Sequence, residues 1–505
     1  MTAGQVLLVA TLAVPAVGAL AAAAVPARLD RAGRVAGAIA AAVAFGTAVA
    51  LVGWRPATDP APARVIRPWH EVDIPWVPDL SLRLHLGVDG VSYPLVVLTA
   101  LLTLLCCLYT CWRVPEGGRG RLLVALLLVV EVGILGVFLA LDLVLFFVFF
   151  EVVLLPMYAV IAGWGGPGRR AAARKFVLYT LLGSVLLLVG VFTVVSATGT
   201  ADLVELTGAT DGAFGRTEQL IAFGFLAVAF AVKSPLWPLH TWLPDAHSEA
   251  PTVGSVILAG VLLKMGTYGL LRVAVGVAPD AARTLAPVLA VLAVAAILVG
   301  GLVSLAQTEL KRLIAYSSVG HMGFVVLGVA TLTATGFQAA LIGNVAHGII
   351  TGLLFFLAGA VKDRAHTGEL ALLGGLRERA PGLAGLLGFA AIASLGLPGL
   401  AGFWGEAFAV IAAVRRGGAF WLVLAVLAAL GAALAAAYLL RMLRLVTAGP
   451  ASAAVRSLAP ARIQRYEMAT WAPLVVLALA LGLAPALVLH FSGDAVAALS
   501  EVVGR

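Results

Sequence analysis

Fourteen apolar stretches divided by polar loops restrict this chain to one class of fold. They lie near residues 4–25, 35–53, 89–111, 122–140, 143–162, 175–197, 219–245, 251–271, 284–306, 312–332, 336–360, 382–413, 418–440 and 469–490. Most match the length that a helix needs to cross a bilayer, about 20 residues. In hydrocarbon the backbone N–H and C=O groups must be satisfied within the protein, and over such lengths a helix does this. The sequence therefore predicts an all-α polytopic membrane protein with about 14 transmembrane helices. Composition agrees, with 62% hydrophobic and 11% charged residues. The net charge of +8 is spread over short loops without a basic run, which argues against nucleic-acid binding. The first stretch lacks a charged leader and precedes further spans, so it reads as a retained helix.

The loops orient the chain. Of its 33 basic residues, 21 fall in loops after odd-numbered spans and 10 on the other side; the remaining two lie inside spans. The positive-inside bias then places the basic loops in the cytoplasm and both termini outside. Segment 54–88, rich in proline with alternating apolar residues, predicts a small hairpin cap on the outer face. Cys106, Cys107 and Cys111 share one span, form no CxxC and have no clustered histidine. They read as small buried filler rather than a metal site or disulfide.

Two spans are interrupted in corresponding places. Pro235 and Pro238 break the seventh, and Gly396, Pro398, Gly399 and Gly402 break the twelfth. Paired interruptions point to inverted repeats around a mid-membrane ion site. The predicted organisation is helices 1–3 with the 54–88 loop (1–120), then a first five-helix repeat (121–272, broken helix 219–245). A second five-helix repeat (284–444, broken helix 382–413) and the region of helix 14 (445–505) complete it. An odd number of spans makes the repeats inverted.

Ionisable groups inside spans are few: Glu131, Glu151, Lys233, Lys264, His321, His347 and Glu406. Each charge placed at mid-bilayer costs roughly 2.5–3.5 kcal/mol on insertion scales, so such residues mark proton or ion pathways. Lysine, unlike arginine, can give up its proton when buried, and only five of the basic residues are lysines. A Glu151–Lys233 pair at about 6 Å and an effective dielectric near 20 would interact by roughly 3 kcal/mol. Separating it would free the lysine to pass its proton on, whereas a lone buried ion pair can also be purely structural. Lys264, on unbroken helix, suits a relay. Glu131, near the start of span 4, is a secondary candidate for proton transfer, and reaching the interface is an equal alternative. Ser317 and Ser318, with Tyr316, precede His321 and are candidates to hold water; His240 is a further secondary candidate. No GxGxxG, P-loop or cysteine cluster is present, so no nucleotide, metal or redox centre is expected in this chain.

The segments LGVDGVSYPLVVLTALLT, FFVFFEVVLLPMYAVIAGWGG, KSPLWPLHTWLPDAHSEAPTVGSVILAGVLLKMGTYGLLR, LKRLIAYSSVGHMGFVVLG and GLPGLAGFWGE resemble the antiporter-like membrane subunits of respiratory complex I. The resemblance runs from about 85 to 445. It departs at Phe150, where many relatives carry Trp, and over the first 80 residues. Two features set the chain apart from the sibling types L and N. It has Glu406 where those carry lysine, and it stops soon after span 14 without the long lateral helix of L.

The resemblance implies a proton-translocating role in the bacterial inner membrane. Glu151 and Lys233 would be the Glu–Lys pair, Lys264 the central relay, His321 and His347 the connecting groups, and Glu406 the terminal group. It further implies NADH, FMN, iron–sulfur clusters and quinone in partner subunits, with chains L and N as neighbours. A subunit of a multisubunit cation/proton antiporter, or of a hydrogenase-type complex, would share this architecture.

Overall fold

The computed structural model describes residues 1–54, 65–77, 82–207 and 214–504. Helices α1 (Ala3–Ala24) and α2 (Asp30–Ala50) are followed by an antiparallel hairpin, β1 (His70–Val77) and β2 (Leu82–Val88). Then come α3 (Tyr93–Trp112), α4 (Gly120–Leu139), α5 (Leu143–Val152), α6 (Leu154–Trp164), α7 (Arg169–Thr198), the short α8 (Leu203–Leu206) and α9 (Arg216–Lys233). After α9 the chain is irregular until α10 (Trp242–Glu249). Next are α11 (Thr252–Ile257) and α12 (Leu263–Gly269), joined by a π-helical turn over Leu258–Leu262, with a second over Leu270–Val275. The second half holds α13 (Pro279–Ala306), α14 (Leu310–Ala330), α15 (Ala334–Ala365), the short α16 (Leu376–Arg379), α17 (Pro381–Ser394), α18 (Ala401–Arg416) and α19 (Gly418–Thr447). The chain closes with the short α20 (Ala453–Arg456), α21 (Arg465–Leu483) and α22 (Ala486–Gly504).

Among the described residues, 13 helical stretches are long and apolar enough to span a membrane. Spans 7 and 12 are missing from that set because both are broken, as their proline and glycine content predicts. The seventh ends at Lys233, and the twelfth stops at Ser394 and resumes at Ala401. Gly396 and Gly399, at φ +79° and +91°, make that second turn in backbone that only glycine adopts freely. The hairpin expected within 54–88 is present.

The last expected span, 469–490, is instead two helices that part at Ala484–Pro485. The polar residues of α22 hid it as a helix. It lies across helix ends on the hairpin side. Its start packs on Trp69 and Tyr93, where a side chain at Gly90 would strike the Phe491 carbonyl, and near its end the Val502 carbonyl accepts from Arg283 of α13.

Two isolated backbone bridges staple the bundle. Asp142↔Asp202 ties the α4–α5 linker to the α7–α8 linker, and Glu309↔Glu369 ties the α13–α14 linker to the segment after α15. Each joins residues 60 apart, and the second lies 167 residues after the first.

Among the described residues, three lysine and arginine side chains expected in loops are buried. Arg272 meets Asp89 at 2.5 Å, Arg364 meets Glu467 at 2.7 Å, and Lys311 donates to the Ala250 carbonyl at 3.0 Å. Span boundaries drawn from hydropathy stopped short of Arg272 and Arg364 and began one residue after Lys311. Arg364→Met should destabilise the chain by about 3–5 kcal/mol by stranding the Glu467 carboxylate. Adding Glu467→Gln should recover most of that loss, read as thermal unfolding of the detergent-solubilised protein.

Candidate proton-transfer site

The site is built where helices depart from regular geometry. The wide turn before α12 leaves the Ala259 carbonyl free, and the Lys264 ammonium donates to it at 2.5 Å. Lys264 is fully buried, and its other partner is His347 of α15, Nζ to Nδ1 2.7 Å. The helix carrying Lys264 is therefore continuous, and wound wide on both sides. Beyond His347 the other broken segment contributes a second pair. His321 Nδ1 lies 2.7 Å from Glu406 Oε1, and Ser394 Oγ meets His321 Nε2 at 3.1 Å.

The two pairs face each other across a gap. The rings of His347 and His321 are 5.7 Å apart, and His347 Nε2 is buried without a partner. A cavity of about 30 Å³ lies here, lined by His321, His347, Thr351, Ser394 and Glu406. That is room for a water or two among polar groups that can hold them. Glycines set the spacing. A Cβ on Gly405 of α18 would sit 2.6 Å from the Gly343 Cα of α15, so these helices meet backbone to backbone one turn from His347 and beside Glu406.

Glu151 and Lys233 do not close an ion pair. The Lys233 ammonium sits 4.5 Å from the centre of the Phe150 ring, and Glu151 Oε1 is buried without a hydrogen bond. Phe150 is thus the ammonium's neighbour, held by the ring quadrupole. Ser234, next to Lys233, packs against α12 at Gly266, and its hydroxyl has no partner.

The secondary candidates fare differently. Glu131 is in the middle of α4, not near its start, and is 0% exposed with both oxygens unpartnered; it does not join the axis. Ser317 accepts from the Tyr438 hydroxyl at 2.9 Å, and Ser318 bonds back to the Ile314 carbonyl, so neither lines the cavity. His240 lies in the first break with its ring 6.1 Å from Tyr316 and its Nδ1 unpartnered.

Two residues escaped the sequence reading. His247 is fully buried, stacked on Phe355 at 4.6 Å, with neither ring nitrogen hydrogen-bonded, and within electrostatic reach of both Lys264 and Lys311. Lys311 is the third buried lysine. The signal was present, since both are ionisable within three residues of a predicted span, but the span limits assigned them to loops. Beside them a cavity of about 250 Å³ opens between Lys175, Asp245, Ser248, Glu249 and Arg312, with Asp245 holding Lys175 at 2.7 Å and Arg312 at 2.9 Å.

With this geometry the chain can be set beside known proteins. Residues 140–431 match the family described as NADH:quinone oxidoreductase/Mrp antiporter, TM. The NADH-quinone oxidoreductase subunit M of Rhodobacter capsulatus is 41% identical over 441 residues, 85% of this chain and 84% of that one. A chain of respiratory complex I from Thermus thermophilus with bound NADH superposes with TM-score 0.84 at 30% identity, covering 99% of each chain. A chain of the Mrp complex from Dietzia sp. DQ12-45-1b superposes with TM-score 0.85 at 26% identity, covering 100% of both.

Because Gly405 meets backbone rather than a flexible side chain, Gly405→Val should overpack the α15–α18 contact. The expected loss is about 1–3 kcal/mol, measurable as a lowered unfolding temperature of the solubilised chain.

Proposed function

Since the chain belongs to the NADH:quinone oxidoreductase/Mrp antiporter family of membrane subunits, we propose that it is the M-type proton-translocating subunit of a bacterial NADH:quinone oxidoreductase. The observation that carries this reading is the pair of hydrogen-bonded couples, Lys264–His347 and His321–Glu406, facing each other across a water-sized cavity. A proton needs donors and acceptors about one hydrogen bond apart, with water filling longer gaps. Here they succeed one another between the two broken helices.

In this reading protons enter through the cavity beside Ser248 and Glu249, pass His247 to Lys264, and continue through His347 and water to His321 and Glu406. The open Glu151–Lys233 pair is the control point. When Glu151 and Lys233 close, the ammonium is held; when they part, as here, it is free to repel or release charge toward Lys264. The two five-helix units are read as inverted repeats. Their support is the recurrence of one backbone bridge at a fixed offset, with the arginine-rich loops placing the first on the outer face and the second on the cytoplasmic face. Both termini then face outside in the inner membrane. NADH, FMN, iron–sulfur clusters and quinone belong to partner subunits, and chains L and N are the expected neighbours. Quinone reduction there supplies the driving force.

The Mrp superposition favours a second reading, a subunit of a cation/proton antiporter. Vesicles carrying the assembled complex separate the two. NADH-driven proton uptake supports the first reading, and a pH change driven by a sodium gradient without NADH supports the second.

In such vesicles Lys233→Ala should abolish coupled proton uptake, and normal uptake with intact assembly would remove Lys233 from the mechanism. Glu406→Gln should impair uptake while Glu406→Lys retains part of it. Removing the relay group by His247→Phe should slow uptake by about tenfold or more.

A further inference from the structure

Outside the membrane-spanning helices, the described residues include a cluster of titratable groups on the hairpin that the proton axis does not use. The hairpin puts Glu71 and Asp73 of β1 and Arg83 and His85 of β2 on one face, as the period of two requires, with Asp73 directly opposite His85. Arg83 is paired with Asp73. His85 is 2% exposed, and both of its nitrogens are engaged: Nδ1 lies 2.6 Å from Asp202 Oδ2, and Nε2 lies 2.8 Å from Glu71 Oε1. Carboxylates only accept, so only the doubly protonated ring can satisfy both contacts. A neutral ring would aim a lone pair at one of the two anions.

The same place is where the hairpin is sewn to the bundle. The His85 carbonyl accepts from Leu141 N at 2.9 Å, and Leu86 bridges Ala140. The α4–α5 linker then bonds the α7–α8 linker through Leu143 N to Ala201 O and Leu203 N to Leu141 O, both at 2.8 Å. Asp202 holds the N-terminus of α8 with Oδ1 and His85 with Oδ2. One imidazole thus joins the hairpin to the linker that its backbone bonds reach only through 140–143.

We propose that His85 is a proton-operated clasp, which in its charged form locks the hairpin onto the linkers of α4–α5 and α7–α8 and on losing a proton releases them. The clasp reads the pH of the compartment on the hairpin side and acts on the ends of α5, which carries Glu151, and of the segment leading to α9, which carries Lys233. It goes beyond the proposed proton axis and does not depend on it.

The charged groups around the ring fix the sign. They are Glu71, Asp73 and Arg83 from the hairpin, Asp202 and Glu205 from the α7–α8 segment and Asp142 from the α4–α5 linker. Burial opposes the imidazolium, but the Asp202 hydrogen bond and the charges of Asp202, Glu71 and Asp73 outweigh it, so the pKa of His85 is raised. Asp202 is likewise opposed by burial, yet its bonds to His85 and to the N–H groups of α8 hold its pKa down. A raised histidine contributes stability that is full below its unfolded value of about 6.5 and is lost as pH rises through the folded value. The depressed aspartate contributes above its unfolded value of about 3.9 and fails only in stronger acid. The clasp therefore holds on the acid side and opens as pH rises through the raised value of His85.

Hydrogen exchange on the whole assembled complex tests this, following peptides that cover 82–90 and 199–207 from about pH 6 to 9.5 after correction for intrinsic exchange. Protection in the wild type should fall by about tenfold or more across that range. Glu71→Gln, at an exposed position, should move the midpoint to lower pH by removing one anion. His85→Gln should be weakly protected at every pH. A flat wild-type profile, or an unmoved midpoint in Glu71→Gln, would overturn the clasp. Loss of protection on adding EDTA at constant pH would also overturn it, by assigning the cluster to a metal ion.

Discussion

The ammonium–carbonyl hydrogen bond between Lys264 and Ala259 is the contact around which the polar interior is organised. An ammonium in the membrane needs a partner, and in regular helix each carbonyl already accepts a backbone bond and has only its second lone pair to offer. The wide turn frees one, and irregular backbone supplies others. Lys311 takes the Ala250 carbonyl at the end of α10, and the indole of Trp242 takes the Val232 carbonyl beside the first break. Freed carbonyls and buried donors thus satisfy each other, which lets polar groups occupy the bundle while few backbone groups are stranded.

Arginine and lysine are used differently inside the protein. Buried Arg272 and Arg364 each hold a carboxylate, Asp89 and Glu467. The three buried lysines, Lys233, Lys264 and Lys311, hold none within 4 Å among the described residues; their contacts are a ring, carbonyls and a histidine. A guanidinium that never loses its proton suits a permanent tie. An ammonium resting on neutral partners can shed its proton without leaving an anion unpaired, which suits transfer.

Much of this was legible before any coordinates. Apolar runs gave the helices, proline and glycine gave both breaks, and alternation gave the hairpin. Glu151, Lys233, Lys264, His321, His347 and Glu406 stood out because hydrocarbon tolerates so few charges. What stayed hidden depends on depth and direction, which hydropathy does not carry. Arg272 and Lys311 lie one residue outside expected span limits, and Arg364 lies four, where a turn or less decides between loop and interior. Glu131 sits at the centre of the expected span 122–140 as it does of α4, so its depth could have been read and was not. His247 lay inside a segment valued for its resemblance rather than its burial. That Lys233 rests on Phe150 instead of Glu151 is a matter of how two helices meet, and spacing along the chain says nothing about it.

The glycine contact between α15 and α18 has a consequence for how the site can vary. Gly343 and Gly405 bring the two helices together through main chain, next to the residues that bear His347 and Glu406. The width of the water-sized gap is therefore a property of the scaffold, indifferent to which acid or base projects into it. Side chains at 347 and 406 are interchangeable parts on a fixed gauge, whereas any residue larger than glycine at 405 would change the gauge itself.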